Sequence, residues 1–295
     1  MGLLEGKVAI VTGAGSGLGR SYALALAREG AAVIVNDLAP AGEGGVRPAE
    51  AVVAEIAAAG GRAVANHADV GDIAGGQSLL ADALRNFARI DILVNNAGVL
   101  RDASLIKMDE GQWDLVMKVH LKALFCVTQP VFAWMKENGQ GGVIVNTTST
   151  AGIRGNFGQT NYGAAKCGVI GFSTSLALEG KKYGIRVWNI GPAAATALTA
   201  HMGDDYKRVF HIDRVAPTLL YMVSDLSGDQ TGKTLLAGGG WVGEVRFEVH
   251  PGYVPSDDFD AHELARAVAD GRVTFPERDP KFVTAYGPAA AAENL

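Results

Sequence analysis

The chain has 295 residues, of which 48% are hydrophobic and 19% are charged, with a net charge of −5. This composition suits a globular protein with one large core or two modest ones. A net negative chain without a Lys/Arg cluster does not favour nucleic acid or an anionic membrane as its main partner. Its two cysteines, Cys126 and Cys167, cannot form a disulfide framework. No signal peptide precedes the first strand-like run and no apolar run approaches the ~20 residues that span a bilayer, so we expect a cytoplasmic protein.

Short aliphatic runs alternate with longer helical segments along most of the chain. The aliphatic runs predict strands at 7–11, 32–36, 62–67, 91–96, 142–148, 185–190 and 234–238. Segments such as 19–30 and 49–60 have the residue pattern of helices. Strands that are apolar throughout are typical of a sheet buried on both faces, and alternation with helices favours parallel strands. The sequence therefore predicts an α/β fold, a doubly wound Rossmann sheet of about seven strands forming one domain at 1–245.

The first strand leads into a glycine-rich turn, TGAGSGLG (12–19). Glycine permits positive φ and lets the backbone approach a ligand closely. The helix that begins near Leu18 points its N–H groups and the positive end of its dipole at the turn, where a pyrophosphate would bind. Asp37 ends the second strand 20 residues after Gly17, the spacing at which a carboxylate reaches the ribose hydroxyls of adenosine. Because Asp37 would repel a 2′-phosphate, the pattern favours NAD over NADP, with a glycine-rich turn and a solvated aspartate as the weaker alternative.

A tyrosine and a lysine stand four residues apart in GNFGQTNYGAAKCG (155–168), where most neighbours are small. If this stretch is helical, Tyr162 and Lys166 lie on the same helix face. A cation beside a phenol favours the phenolate, so the pair could act as a base. The pKa of a free phenol is about 10, and work near neutrality would require lowering it by roughly 2–3 units. A surface tyrosine and lysine on an ordinary helix is the alternative that this stretch alone leaves open.

Five motifs in chain order resemble the short-chain dehydrogenase/reductase family over about residues 5–245. They are TGxxxGxG at 12–19, ADV at 68–70, NNAG at 95–98, a serine at 149 and YxxxK at 162–166. The resemblance implies an NAD-dependent oxidoreductase in which Tyr162 takes the proton of a substrate hydroxyl and Ser149 holds the substrate oxygen. Lys166 would supply positive charge and hydrogen-bond the nicotinamide ribose. The implied cofactor contacts, with no metal, are Gly13, Ser16, Gly17, Leu18, Gly19, Asp37, Asp69, Val70, Asn96, Ala97, Gly98, Tyr162, Lys166, Pro192 and Thr196.

The chain departs from the family pattern in two places. His120 stands where most members have an asparagine that completes a water-linked proton relay. A neutral imidazole both donates and accepts, so His120 could hold such a water, or it could be a satisfied buried histidine without a relay role. After the sixth strand, Pro192 is followed by Ala193 in place of the family's glycine. Which of Thr196 and Thr199 contacts the cofactor is therefore left open.

Several stretches resemble one branch of the family more closely, the (3R)-hydroxyacyl-CoA dehydrogenase domain of peroxisomal multifunctional enzymes of type 2. They include NNAGVLRDASL (95–105), GIRGNFGQTNYGAAK (152–166) and GGGWVGEVRFE (238–248), and that branch also carries histidine at the position of His120. The resemblance implies oxidation of (3R)-hydroxyacyl-CoA to 3-ketoacyl-CoA, as in β-oxidation, by a stand-alone bacterial-type enzyme. A 17β-hydroxysteroid or another alcohol as substrate, and a catalytically silent NAD-binding protein, are the alternatives.

The residues themselves give only weak evidence about the substrate, because most surface cations are simply solvated and most apolar residues simply pack in the core. The cations that could border the mouth of the site are Arg101, Lys107, Arg154 and Lys207. The apolar residues that could line a substrate pocket are Phe157, Met202, Tyr206, Phe210 and Trp241.

The composition changes near residue 246, where the chain becomes rich in proline and aspartate. We expect 246–295 to form an extension, with one short helix at 261–271, that packs on the domain or on a neighbouring subunit. By analogy with the family, the helices that include 111–137 and 158–182 would join subunits into a homodimer or homotetramer.

Overall fold

A single sheet built from short runs of buried aliphatic residues runs through the protein. The computed structural model describes residues 2–42, 45–196 and 203–275. The strands in that part of the chain are β1 (Val8–Thr12), β2 (Ala32–Asn36), β3 (Arg62–Asn66), β4 (Ile92–Asn95), β5 (Gly142–Thr147), β6 (Ile185–Pro192), β7 (Lys233–Gly238) and β8 (Trp241–Val245). Their order is β3-β2-β1-β4-β5-β6-β7-β8. All neighbouring strands are parallel except β7 and β8, which are antiparallel.

Helices cover both faces of this sheet. They are α1 (Gly17–Arg28), α2 (Pro48–Ala58), α3 (Ile73–Phe87), α4 (Glu110–Met117), α5 (Ala123–Asn138), α6 (Ala151–Arg154), α7 (Thr160–Gly180), α8 (Gly203–Val209), α9 (Ala216–Val223) and α10 (Ala261–Ala269). Alternate residues of one strand pack into opposite cores: Val11 lies in the core with α1, α2 and α9, and Ile10 in the core with α3, α5 and α7. This packing confirms the doubly wound α/β fold that the apolar strands predicted.

The seven predicted strands are present with ends shifted by no more than two residues. The prediction of about seven strands omitted β8, which forms one edge of the sheet. Its residues alternate between partly buried and exposed, and it contains Gly243 and Glu244. An edge strand with one solvated face carries no continuous apolar run, so the sequence pattern that found the other strands does not find this one.

The longest helical stretch of the described chain runs from Glu110 to Asn138 and comprises α4, a π-helical turn at Lys118–Lys122, and α5. By length and composition alone it meets the requirement for a membrane span, contrary to the expectation that no apolar run approaches that length. The same requirement is met by core helices of soluble proteins. Here α5 packs against α3, and α4 packs against α7.

The strand order reverses between β1 and β4, whose carboxyl ends lie side by side. In open parallel sheets ligands bind in the crevice outside the carboxyl ends of the strands at such a switch point. Residues 246–275 follow β8 and carry α10, which Asp260 caps. What this extension packs on in an assembly stays a prediction, and residues 276–295 lie outside the described part of the chain.

Candidate active site

The glycine-rich turn after β1 is closely packed against the loop that follows β4. A Cβ on Gly13 would lie 2.8 Å from the Cα of Ala97, and a Cβ on Gly19 would lie 2.0 Å from the carbonyl oxygen of Gly13. Gly13 also has a φ of +61°, which few residues other than glycine adopt. These two positions therefore require glycine for packing, whatever binds at the turn.

The start of α1 is open toward the crevice. Gly17 has a φ of +54°, and a Cβ on it would find only the side chain of Thr196, 3.9 Å away. Ser16, which precedes the helix, makes no side-chain cap to its N–H groups. The backbone of Ser16, Gly17 and Leu18 thus presents N–H donors to a space that Thr196 borders. This arrangement fits the pyrophosphate of a dinucleotide. A cofactor contact of Thr196 stays a prediction, and Thr199 lies outside the described residues.

The NNAG segment holds the ends of β1 and β4 together. The hydroxyl oxygen of Thr12 accepts hydrogen bonds from the backbone N–H groups of Asn96, at 3.0 Å, and Ala97, at 3.1 Å. The Asn96 amide donates in return to the carbonyl oxygens of Thr12, at 3.0 Å, and Gly13, at 3.2 Å. Because four hydrogen bonds fix this junction, the floor of the crevice is formed before any ligand binds.

The carboxylate of Asp37, at the end of β2, is fixed beside the glycine-rich turn. One of its oxygens accepts from the N–H of Gly15 and the other from the N–H of Ala39, each at 2.9 Å. The guanidinium of Arg47 holds the same loop by donating to the carbonyls of Leu38 and Ala39, both at 3.3 Å. The adenosine ribose of a bound dinucleotide would lie next to this carboxylate.

Asp69 is held by a lysine that the sequence did not single out. Lys118 Nζ lies 2.7 Å from Asp69 Oδ2, and the N–H of Gly71 donates to Asp69 Oδ1 at 2.8 Å. The hydrogen bond from Lys118 and then that from Gly71 hold the pKa of the Asp69 carboxyl below its ordinary value. Val70 is buried beside it. Lys118 begins the π-helical turn that also carries His120, and local insertions of this kind are frequent at functional sites.

Ser149, Tyr162 and Lys166 come together at the carboxyl end of β5. Ser149 follows that strand, and Tyr162 and Lys166 lie one turn apart at the start of α7. The Ser149 hydroxyl hydrogen-bonds the phenol of Tyr162. Lys166 is only 3% exposed, and its Nζ donates to the carbonyl oxygen of Thr147 at 2.6 Å. That Nζ lies 5.6 Å from the centre of the Tyr162 ring.

Burial dominates the acid–base properties of this group. It raises the pKa of the Tyr162 phenol; the hydrogen bond from Ser149 acts in the opposite sense, and the charge of Asp102 adds to the increase. Burial also lowers the pKa of Lys166 to about 7. The sequence analysis expected Lys166 to lower the phenol's pKa. In this structure desolvation of the phenolate outweighs the opposing hydrogen bond from Ser149, so lowering the pKa would take further positive charge.

His120 lies against the ring of Tyr162. It is 4% exposed, and its ring meets that of Tyr162 edge to face with centres 5.1 Å apart. Its Nε2 lies 2.7 Å from the carbonyl oxygen of Val99 and 3.1 Å from the N–H of the same residue. A Cβ on Gly98 would lie 2.6 Å from the imidazole, so NNAG also makes room for this ring. Burial, then the charge of Lys166, lower the pKa of His120 to about 3, and the imidazole is neutral.

The loop after β4 is tied to the entry of α7, which the sequence analysis did not anticipate. Gln159 donates to the Asp102 carboxylate at 2.7 Å, and the N–H of Ala103 donates to the carbonyl of Gly158 at 2.9 Å. The amide of Asn161 donates to the carbonyl of Arg101 at 3.0 Å. These contacts place the Asp102 charge near Tyr162.

If Tyr162 is the base in alcohol oxidation that the sequence resemblance implies, replacing Asp102 with asparagine is expected to move the acidic limb of the pH–rate profile to lower pH by roughly 0.3–0.5 units. The rate of such a reaction would rise with pH as Tyr162 loses its proton, and removing the nearby negative charge lowers the pKa of that phenol. The profile of kcat/KM measures the shift. Asp114→Asn, on the exposed side of α4, is the matched control. An unchanged limb in Asp102→Asn would show that its charge does not reach the phenol.

The residues suggested for the substrate are not all brought together. Tyr206 and Phe210 stack with ring centres 4.3 Å apart, next to the segment that follows β6. Phe157 is 92% exposed. Among the remaining candidates, Lys207 forms an ion pair with Asp204. Three other cations are exposed: Arg101, Lys107 and Arg154. Trp241 is the first residue of β8, and Met202 lies outside the described residues.

Comparison with known proteins gives consistent results. The family model described as short chain dehydrogenase matches residues 7–207. Peroxisomal multifunctional enzyme type 2 of Mus musculus is 43% identical over 248 residues, which make up 83% of this chain and 33% of that enzyme. A putative short-chain type dehydrogenase/reductase of Mycobacterium tuberculosis is 43% identical over 240 residues, or 80% of this chain and 84% of that protein. The crystal structure of a short chain dehydrogenase from Mycobacterium avium superposes with a TM-score of 0.82 at 35% identity, covering 93% of this chain and 98% of that one.

This chain spans about a third of the length of the mouse multifunctional enzyme and most of the length of the two mycobacterial proteins. The similarity to the mouse enzyme therefore concerns one part of a larger protein.

Proposed function

The chain belongs to the short-chain dehydrogenase/reductase family and is thus an oxidoreductase, and we propose that it uses NAD to oxidise a secondary alcohol, most specifically a (3R)-hydroxyacyl-CoA, to the ketone. The observation that carries this proposal is the meeting of Ser149, Tyr162 and Lys166 at the carboxyl edge of the sheet. They lie where β5 ends, beside the end of β4 and at the same edge of the parallel sheet from which α1 begins.

In the proposed reaction Ser149 hydrogen-bonds the substrate oxygen and Tyr162 accepts its proton. The glycine-rich turn and Asp37 would hold the dinucleotide, which when bound would supply the hydride acceptor for the carbinol carbon and a positive charge. Lys166 keeps a second positive charge one helical turn from the phenol, which favours the phenolate. Because burial alone raises the pKa of Tyr162, the base becomes effective only when both charges are in place.

The preference for NAD rests on Asp37. Its carboxylate is anchored by two backbone N–H groups at 2.9 Å and cannot easily turn away from a ligand at the ribose position. A 2′-phosphate there would meet a fixed negative charge, whereas two ribose hydroxyls would meet a good acceptor.

Replacing Asp37 with serine is expected to weaken NAD binding by roughly 10–100-fold, because hydrogen bonds to a charged acceptor are lost. The same change should improve use of NADP, because the repulsion is removed while Arg47 stays close by. The ratio of kcat/KM values for the two cofactors measures the change. Asp37→Asn, which keeps the shape and one acceptor, should fall between the wild type and Asp37→Ser. An unchanged ratio in both variants would contradict the assignment of Asp37 to the ribose.

The acyl-CoA substrate is supported by similarity rather than by a pocket. The stretches at 95–105 and 152–166, which border the site, resemble the (3R)-hydroxyacyl-CoA dehydrogenase branch, and the mouse relative is a multifunctional enzyme of type 2. The exposed cations Arg101 and Lys107 follow β4 on the same side of the sheet and could meet the phosphates of CoA. A hydroxysteroid is the second candidate, because the same catalytic group oxidises any secondary alcohol that fits.

A homodimer or homotetramer is part of the proposal. Apolar side chains are exposed on the helical run that contains α4 and α5 and on α7, with Trp113 37%, Phe125 48% and Leu178 76% exposed. Exposed apolar residues on neighbouring helices are typical of an interface. The cytoplasmic location stays a prediction.

The test is NADH formation by the purified protein with a panel of alcohols: (3R)- and (3S)-hydroxyacyl-CoA of two chain lengths and one 17β-hydroxysteroid. Turnover of the (3R) thioesters alone supports the proposal in full. Turnover of the steroid alone would replace the substrate class but keep the chemistry. Tight NAD binding with no turnover across the panel would contradict both, leaving a protein that binds the cofactor without this chemistry.

A further inference from the structure

An ion pair joins the loop after β3 to the π-helical turn that follows α4. Lys118 Nζ lies 2.7 Å from Asp69 Oδ2, and the two side chains are 42% and 33% exposed. Lys118 is the first residue of that turn and stands 49 residues along the chain from Asp69. An ion pair this exposed adds little to stability, so its contribution to folding does not account for it.

The backbone beneath the lysine leaves room for the lysine stem. A Cβ on Gly71 would lie 2.3 Å from Cε and 2.8 Å from Cγ of Lys118. The φ of Gly71 is not positive, so the approach of the lysine, and not the backbone conformation, favours glycine at this position. The stem of Lys118 therefore lies directly across Gly71, with its ammonium group at the carboxylate of Asp69.

The carboxylate of Asp69 is held through both of its oxygens. The N–H of Gly71 donates to Oδ1 at 2.8 Å, and Lys118 donates to Oδ2 at 2.7 Å. The hydrogen bond with Asp69 also raises the pKa of Lys118 above its ordinary value. A carboxylate has about four sites for accepting hydrogen bonds, so about two remain for a ligand. Donors on both oxygens fix the direction in which those remaining sites point.

The loop that carries Asp69 is joined to the ribose side of the crevice. The N–H of Asp37 donates to the carbonyl oxygen of Asn66 at 3.0 Å. The amide of Asn36 donates to the carbonyl oxygen of Ala68 at 3.0 Å, and the N–H of Ala68 donates to Asn66 Oδ1 at 3.0 Å. The positions of Asp37 and Asp69 are thus fixed relative to each other. A base attached to a ribose at Asp37 has Asp69 among the polar groups within its reach.

We propose that Lys118 is a positioning residue for recognition of the cofactor's base, because it turns the Asp69 carboxylate toward the exocyclic amino group of adenine. Adenine donates hydrogen bonds from that amino group, whereas hypoxanthine has an oxygen there, which a carboxylate repels. Lys118 would then determine the preference for adenine without touching the base. A cofactor contact of Asp69 is implied by the family resemblance, and the role of Lys118 rests on the proposed use of NAD.

The first test is calorimetric titration with NAD and with nicotinamide hypoxanthine dinucleotide, in the absence of any alcohol. We expect the wild type to bind NAD roughly ten-fold more tightly, because only adenine donates to the charged acceptor. Methionine keeps the stem of the lysine without its charge. In Lys118→Met the binding of NAD should weaken until the preference is within roughly two- to three-fold, while binding of the hypoxanthine form changes little.

Two variants on the same helical turn are the controls. Lys118→Arg keeps a charged donor and should restore most of the preference. Lys122 acts on Asp69 through its charge alone, so Lys122→Met should leave the preference unchanged. An equal loss of both dinucleotides in Lys118→Met would show that the lysine acts on the fold or on the phosphates. That result, an unchanged preference in Lys118→Met, or a wild type without any preference would overturn the proposal.

The second test is the crystal structure of cofactor-free Lys118→Met, compared with that of the wild type. We expect the Asp69 carboxylate to rotate away from its wild-type orientation while the N–H of Gly71 still donates to it. Urea unfolding should show little change in stability, as expected for loss of an exposed ion pair. A carboxylate that keeps its wild-type orientation would show that Gly71 alone fixes it, and the positioning role of Lys118 would be wrong.

Turnover tests the same role through the proposed function. In Lys118→Met the KM for NAD should rise with kcat nearly unchanged, because the adenine is at the opposite end of the dinucleotide from the reacting nicotinamide. A fall in kcat with an unchanged KM would contradict a role in binding the base. If the wild type binds NAD but oxidises no alcohol, the proposed oxidation fails, while calorimetry and diffraction still decide the role of Lys118. If the wild type binds neither dinucleotide, both proposals fail.

Discussion

Replacing Tyr162 with phenylalanine is expected to reduce alcohol oxidation by roughly 10²–10⁴-fold, the range that a positioned general base contributes. The phenol oxygen is the only group removed, and it is the one that the Ser149 hydroxyl meets. The ring keeps its edge-to-face contact with His120, so the fold should be retained. Initial rates of NADH formation, with NAD binding measured separately by calorimetry, give the two quantities needed.

NAD binding in Tyr162→Phe should remain within a few-fold of the wild type, because the dinucleotide is held mainly by the glycine-rich turn and Asp37. Tyr183→Phe, at the opposite end of α7, is the control for loss of a phenol without loss of the base. If Tyr162→Phe kept more than a tenth of the wild-type rate, another group would have to take the proton. That outcome would remove the basis of the proposed reaction.

The fold could be predicted from the sequence because its central strands are buried on both faces. Each of the seven predicted strands is a short run rich in aliphatic residues, and Gly19 is required by its close contact with the backbone of Gly13 inside one turn. Local patterns of this kind are visible in a single sequence. The edge strand β8 is the exception, because its burial alternates.

Only those parts of the site that belong to a local sequence motif could be predicted. Tyr162 and Lys166 were found because one helical turn fixes their relative position. Lys118, which binds Asp69, and Gln159, which binds Asp102, come from segments 49 and 57 residues away from their partners. Such contacts depend on how the loops pack in three dimensions. No local pattern marks them.

The direction of the pKa shifts could not be predicted from the sequence either. A lysine four residues from a tyrosine suggests a lowered phenol pKa, but burial of both groups reverses the outcome for Tyr162 and lowers the pKa of Lys166 to about 7. Desolvation depends on the packing of whole elements around the pair. The site is therefore a place where the protein gives up stability for function.

Replacing Lys166 with methionine is expected to make the cofactor-free protein more stable and much less active. A folded-state pKa of about 7 against an ordinary value of 10.5 means that the folded protein binds the proton less well than the unfolded chain does. At about 1.4 kcal/mol per pKa unit, keeping the ammonium buried costs roughly 4–5 kcal/mol below pH 7. Loss of the hydrogen bond to the Thr147 carbonyl offsets about 1 kcal/mol or more of this, leaving an expected gain of roughly 2–4 kcal/mol.

The pH dependence of that gain is the decisive measurement for Lys166→Met. The cost of the buried ammonium is fully present below about pH 7, shrinks as the pH rises toward 10.5, and vanishes above that pH, where neither state holds the proton. Urea unfolding at pH 6 and pH 9.5 should therefore show a clear stabilisation at the lower pH and a smaller one at the higher pH. Lys181 is an exposed lysine beyond the end of α7, and Lys181→Met should leave the free energy of unfolding nearly unchanged at both pH values. Turnover by Lys166→Met should fall by roughly 10²–10³-fold, because a charge preorganised beside the phenolate is lost. Equal destabilisation at both pH values would mean that Lys166 is held mainly by hydrogen bonds such as the one to the Thr147 carbonyl, and that desolvation does not govern its pKa.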